Sequence, residues 1–309
     1  MKAVAGLVVR RLGLLLALLA LVFVVVDLLP GNAARAVLGR DADADRIAAK
    51  EHELGLDRPL PVRFADWLGG VLTGDFGTTA RGQSVNDLLA GKFPQTLLLA
   101  SIAIAVTVVI ALLAGMWWAL RPAGIAARII RPGSAFVIAV PEFVVATILV
   151  LVFSLWLDLL PAVTFTDRSG FPAGPQMLIL PVVALAIPQA GWNLRVVRGA
   201  LADAAAAPHV DNAILNGLPE RTVLIRHVLP FALPTIATSF ATSVGTLFGG
   251  ALVVETIFNY PGMGAMIAGS VSDRDTALVA AVVTVTGTTI LGGLLFADGI
   301  RLWANRGRR

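Results

Sequence analysis

Six stretches of 18 or more residues, each nearly free of charge, divide this 309-residue chain: 12–29, 97–120, 135–157, 177–194, 231–254 and 277–296. A hydrocarbon core about 30 Å thick asks about 20 apolar residues of a crossing helix, and inside it every backbone polar group must be satisfied within the segment. The pattern therefore predicts an all-α membrane protein with six transmembrane helices. Composition agrees, with 57% hydrophobic residues, 14% charged residues and a mean hydropathy of +0.83, well outside globular usage.

The first stretch follows Arg10 and Arg11 and carries Asp27 near its far end. A cleaved signal peptide is the competing reading, but a largely apolar stretch of 18 residues exceeds the usual h-region, so it is taken as an uncleaved span. Residues 31–95 hold eight Lys/Arg and nine Asp/Glu, too many charges for lipid, and are expected to form a long extramembrane loop. Short basic flanks set the orientation. Lys2, Arg10 and Arg11 precede the first span, Arg121, Arg128 and Arg131 separate the second and third, Arg195, Arg198, Arg221 and Arg226 separate the fourth and fifth, and Arg301, Arg306, Arg308 and Arg309 end the chain. The short opposite loops hold only Arg168 and Arg274. The positive-inside rule then places both termini in the cytoplasm and the 31–95 loop outside.

Several functions are excluded. The net charge of +4 sits beside apolar spans, not in a patch interleaved with aromatics, so nucleic acid is not an expected partner. With no cysteine, the chain has no disulfide or thiolate chemistry. The sole Gly-Lys pair, Gly91-Lys92, has Asn86 where a phosphate-binding loop needs its first Gly and Phe93 where it needs a hydroxyl. His52, His209 and His227 are scattered without metal-ligand spacing. Neither catalytic, metal nor cofactor-binding residues are expected in this chain.

The stretch between the fourth and fifth spans is the most informative. Pro208 stops the Ala-rich helix continuing from the fourth span. Val210, Ala213, Ile214 and Gly217 then fall at i, i+3, i+4 and i+7, with Asp211, Asn212 and Asn216 on other faces. Gly217 is placed for a left-handed C′ residue and Pro219 for the first turn of another helix. A short helix is thus expected over 210–218, taking in Leu215 and Leu218. So short a helix is unstable alone and needs a surface to dock on. An amphipathic connector lying on the membrane is the plainer alternative.

These residues resemble the E-A-A-x3-G-x9-I-x-L-P loop of permeases in binding-protein-dependent ABC importers. The chain reads Asp211-Asn212-Ala213, three residues, Gly217, nine residues, then His227-Val228-Leu229-Pro230, with Asn212 and His227 departing from the pattern. LGLDRPL (54–60), GDFGTT (74–79), PEF (141–143) and VVETIFNYPGMG (253–264) resemble the dipeptide, oligopeptide and nickel branch. The resemblance covers nearly the whole chain. It implies a type I importer permease fold, with an N-terminal helix and external region at 1–94, a permease domain at 95–303 and a basic tail at 304–309. It also implies a second permease, two cytosolic ATPase subunits that bind ATP and Mg, and an external solute-binding protein. Residues 210–218 then become the helix coupling ATPase closure to the spans, and His227 a solvated residue at that interface. Di- or oligopeptides are the implied substrates, with nickel or another small solute as the alternative. A secondary transporter would show repeated halves, and a membrane scaffold would not require a docking helix.

Within the spans, Glu142 follows Pro141, either facing a cavity or starting a helix near the cytoplasmic end. Thr238, Ser239, Thr242, Ser243, Gly245, Gly249 and Gly250 concentrate small residues on the fifth span. They permit close helix approach, either to a second permease along the pathway or within this subunit. Asp27 and Glu255 are expected at interfacial water. Glu255, Tyr260, Pro261 and Gly262 are expected to form an external ledge beneath the binding protein.

Overall fold

The computed structural model describes residues 2–28, 33–39, 42–121 and 124–306. The expected end of the first span at Leu29 and residues 307–309 of the basic tail lie outside them. The described residues fold as helices and turns, with two isolated β-bridges, Thr78 to Ser84 and Thr166 to Pro172. They form two compact units. One comprises the chain up to Thr96 together with Pro261–Leu291, and the other comprises Leu97–Tyr260 together with the chain from Gly292.

In the first unit, α1 (Lys2–Asp27) is the first span. The expected loop after it is folded, carrying α2 (Ala33–Leu38), α3 (Ala44–Glu53) and α4 (Leu60–Thr73). Pro61 sits in the first turn of α4, and Gly74, at φ 84°, closes it. Arg63 of α4 reaches Asp27 at 2.7 Å and lies over the Phe23 ring, which packs edge-on against Phe64. Asp27 is therefore an ion-pair partner and not simply a solvated end. Further on, α12 (Met263–Ser272) precedes α13 (Thr276–Arg306). The buried Asp275 carboxylate between them accepts the N–H of Ala80 at 2.6 Å and of Leu278 at 3.0 Å. Burial pushes that carboxyl above its ordinary value, and the two N–H bonds pull the other way.

The second span is the latter part of α5 (Val85–Leu120), which begins well before the expected residue 97. The third departs most from expectation. The stretch 135–157 is not one helix but α6 (Ile125–Ala139) and α7 (Glu142–Leu149), with α7 running into a π-helical segment, Val150–Trp156. The two halves meet at 104°. Pro141 explains the break, because its ring disfavours the helical region for the preceding residue, and Val140 is extended at ψ 120°. Among the described residues, five helices are thus long and apolar enough to cross a membrane, with the bent pair as the sixth element.

The fourth span belongs to α8 (Gln176–Ala205) and the fifth to α11 (Leu229–Ile257). Leu99, Ala103, Ala146, Leu149, Leu185, Leu247 and Phe258 form the apolar core of the second unit. Two features fix α8. A Cβ on Gly115 of α5 would lie 2.8 Å from the Leu194 carbonyl oxygen, so that glycine permits the close crossing. Asn193 of α8 is fully buried, accepts a hydrogen bond from Ser239 of α11 at 2.7 Å and donates to Ser243 at 2.6 Å. In a medium without water this polar clamp sets the register of α8 against α11.

Candidate functional site

Between those clamped helices the chain leaves the apolar layer and folds as α9 (Pro208–Leu215). It starts two residues earlier and ends sooner than the expected 210–218, because Pro208 both stops α8 and occupies the first position of α9. Asn216 is the C-cap, and Gly217 adopts φ 74°. Gly217 N–H bonds Ile214 C=O at 2.9 Å and Leu218 N–H bonds Ala213 C=O at 3.2 Å, the two bonds of a Schellman motif. A side chain at Gly217 would strain that left-handed turn.

Val210 and Ala213 are buried against an apolar cluster that includes Leu201, Val223 and Val228. The rest of the helix surface is open. Asp211, Asn212, Asn216, Gly217 and Leu218 are exposed, and so are Ile214 at 57% and Leu215 at 84%. From Pro219 the chain runs through α10 (Glu220–Val223) and a π-helical segment, Leu224–Val228, directly into α11. His209 braces this return. Its Nε2–H donates to the His227 carbonyl oxygen at 3.0 Å, which fixes the tautomer, and its ring lies 4.3 Å from that of Phe231. His227 is half-buried, not freely solvated. Sequence reasoning read His209 as scattered and passed over Asn193; a polar residue inside an apolar span is the signal that marks Asn193.

The small residues of α11 separate by face. Thr238, Thr242 and Gly249 are exposed along one line, with Gly245 half-buried at its edge, whereas Ser239 and Ser243 point to Asn193. Glu142 is the first residue of α7, where the helix dipole favours a carboxylate. It does not join the exposed line. A Cβ on Gly250 would lie 2.5 Å from its Oε1, so Glu142 packs on an inner face of α11.

The external ledge needs correction. Glu255 is 0% and Tyr260 1% exposed, so neither meets interfacial water nor presents a surface, and Gly262 is also buried while Pro261 is half-buried. The cause is the turn after α11. Tyr260 N–H bonds the Glu255 carbonyl at 2.8 Å, folding the chain back over the helix end. Burial, and then the Glu255 charge, push the Tyr260 phenol above its ordinary value.

Residues 111–309 match the family described as binding-protein-dependent transport system inner membrane component, and residues 3–100 match its N-terminal companion. A probable peptide ABC transporter permease of Sinorhizobium fredii is 30% identical over 93% of this chain and 94% of its own. The oligopeptide transport system permease OppB of Mycobacterium bovis is 34% identical over 82% of each chain, and the glutathione permease GsiC of Salmonella choleraesuis is 33% identical over 88% of each. The chain belongs to this permease family. As an ABC permease it is a multi-pass inner-membrane component of a binding-protein-dependent transport system. The whole of α9 and the outer line of α11 fall inside the 111–309 match.

Proposed function

We propose that this permease imports peptides, paired with a second permease, driven by two cytosolic ATPase subunits that hold ATP and Mg, and supplied by an external binding protein. In this reading α9 is the coupling helix. Closure of the ATPases pushes on it, and the motion passes through α8 and α11 to alternate the access of a cavity shared by the two permeases. ATP hydrolysis falls to the partner subunits. The basic flanks support placing α9 and both termini in the cytoplasm.

The observation that carries the coupling role is the exposed apolar pair Ile214 and Leu215 on a helix rigidly held from behind. An apolar face projecting beyond the spans is costly in water and fits a groove on a partner. Peptide as cargo is supported by relatives named as peptide, oligopeptide and glutathione permeases.

Two measurements test the reading. In the reconstituted transporter, Leu215→Asp and Gly217→Pro abolish peptide uptake and uncouple ATPase activity, while the permease still inserts into the membrane. Uptake at the wild-type rate would remove the coupling role. Cells with and without the gene are then given labelled dipeptides, longer peptides and nickel. Gene-dependent uptake of peptides is expected, and uptake of nickel alone would overturn the substrate assignment.

A further inference from the structure

Four arginines converge on one cavity of about 420 Å³ at the end of the α8 span. Arg128 and Arg131 come from α6, Arg195 and Arg198 from α8, and the remaining lining is Trp118 and Ala127. The positive-inside tendency explains basic residues at this level of the chain. It does not explain why they gather around a cavity, where like charges repel.

None of the four is ion-paired with a carboxylate among the described residues. One of them is positioned. The Arg198 guanidinium lies 4.8 Å over the ring of Trp118, itself buried, so its donors are presented at a fixed place.

Location narrows the occupant. The apolar run of α8 ends at residue 194, one residue before Arg195, and α5 ends at Leu120 beside Trp117 and Trp118. Tryptophans and arginines at the end of a span mark headgroup depth. Trp117, Leu120 and Ile129 are large apolar residues left exposed near the same level, a surface suited to acyl chains. We propose that this cavity binds the phosphate headgroup of an anionic phospholipid from the surrounding leaflet. The guanidinium groups supply the charge-assisted hydrogen bonds that phosphate oxygens accept.

The test uses the full permease in nanodiscs of phosphatidylcholine with graded phosphatidylglycerol, with bound lipid counted by native mass spectrometry. Phosphatidylglycerol is expected to be retained over phosphatidylcholine. At about fivefold per basic residue, Arg131→Gln with Arg195→Gln lowers that preference about 25-fold. Arg131→Lys keeps most of it, and Arg226→Gln, an exposed arginine outside the cavity, leaves it unchanged. Unaltered helical circular dichroism of the double variant separates loss of the site from loss of the fold. Equal retention of the two lipids, or a double variant that binds like wild type, overturns the proposal. In a parallel arm, inorganic phosphate at millimolar concentration is added. Displacement of the lipid no greater than that by chloride is expected, and preferential capture of free phosphate would overturn the lipid assignment.

Discussion

The two faces of α11 carry the same chemistry to opposite ends. On the inner face, the hydroxyls of Ser239 and Ser243 cross to Asn193 of α8, and Gly250 makes room for Glu142 of α7. On the outer face, Thr238 and Thr242 donate to the carbonyls one turn back in their own helix, at Pro234 and Thr238, at 2.7 and 3.0 Å. Among the described residues, Gly249 has nothing within 4 Å of where its Cβ would stand. Hydroxyls in lipid need partners. The inner ones use theirs to tie two helices together, and the outer ones satisfy themselves, leaving a thin surface that demands no polar partner. One face is a finished joint; the other is available for close approach.

The adjacent glycines offer the largest effect. Gly250→Val places new atoms on the Glu142 carboxyl and is expected to destabilise the subunit by about 1–3 kcal/mol, the usual cost of overpacking. Because the obstructing atoms belong to a flexible side chain, Glu142→Ala in the same chain is expected to restore most of that loss, giving a clear interaction energy in the double-mutant cycle. Denaturant unfolding of the detergent-solubilised permease measures both. A Gly250→Val variant as stable as wild type would show that the inner face is not packed as described.

Next in size is the clamp. Asn193→Ala removes two interhelical hydrogen bonds, and buried bonds of this kind in membrane proteins contribute about 0.6 kcal/mol on average and about 1.7 at most. The expected loss is about 1–2 kcal/mol by the same unfolding assay. Thr238→Val, with its bond confined to one turn of α11, is expected to change stability by less than about 0.5 kcal/mol. If the two variants cost the same, inner and outer hydroxyls are not doing different things.

Much of this was readable from residue order because lipid imposes a simple rule: a long uncharged run must be a helix. Pro208, Gly217 and Pro219 punctuate the 206–219 segment as local backbone chemistry requires, so α9 was legible to within a few residues. What the sequence could not convey is direction. Ser239 and Thr238 are neighbours with similar side chains, and only the helix they face decides which joins a network. Glu255 looked like an interfacial carboxylate because it ends an apolar run, and the turn that buries it is set by Tyr260 folding back, a tertiary event. The 104° bend was signalled by Pro141, but composition across 135–157 is apolar apart from Glu142, Thr147 and Ser154 and hides it. His209 lacked any ligand spacing, and its role as a brace depends on the π-helical carbonyl eighteen residues away.

The smallest expected effect on the subunit is also the one that separates its folding from its assembly. Gly249→Leu adds a large side chain where no described residue lies within 4 Å of the Cβ position, so unfolding of the isolated permease should shift by less than about 0.5 kcal/mol. If the outer line of α11 meets a second permease, the same side chain obstructs a close helix approach of the small-residue type. Size-exclusion chromatography of the co-expressed transporter should then show a reduced share of complete complex, with Thr242→Val, which preserves size, assembling as wild type. A loss of subunit stability like that of Gly250→Val would mean the outer face is internal after all. Normal stability with normal assembly would leave Gly249 facing lipid and move the permease interface off α11.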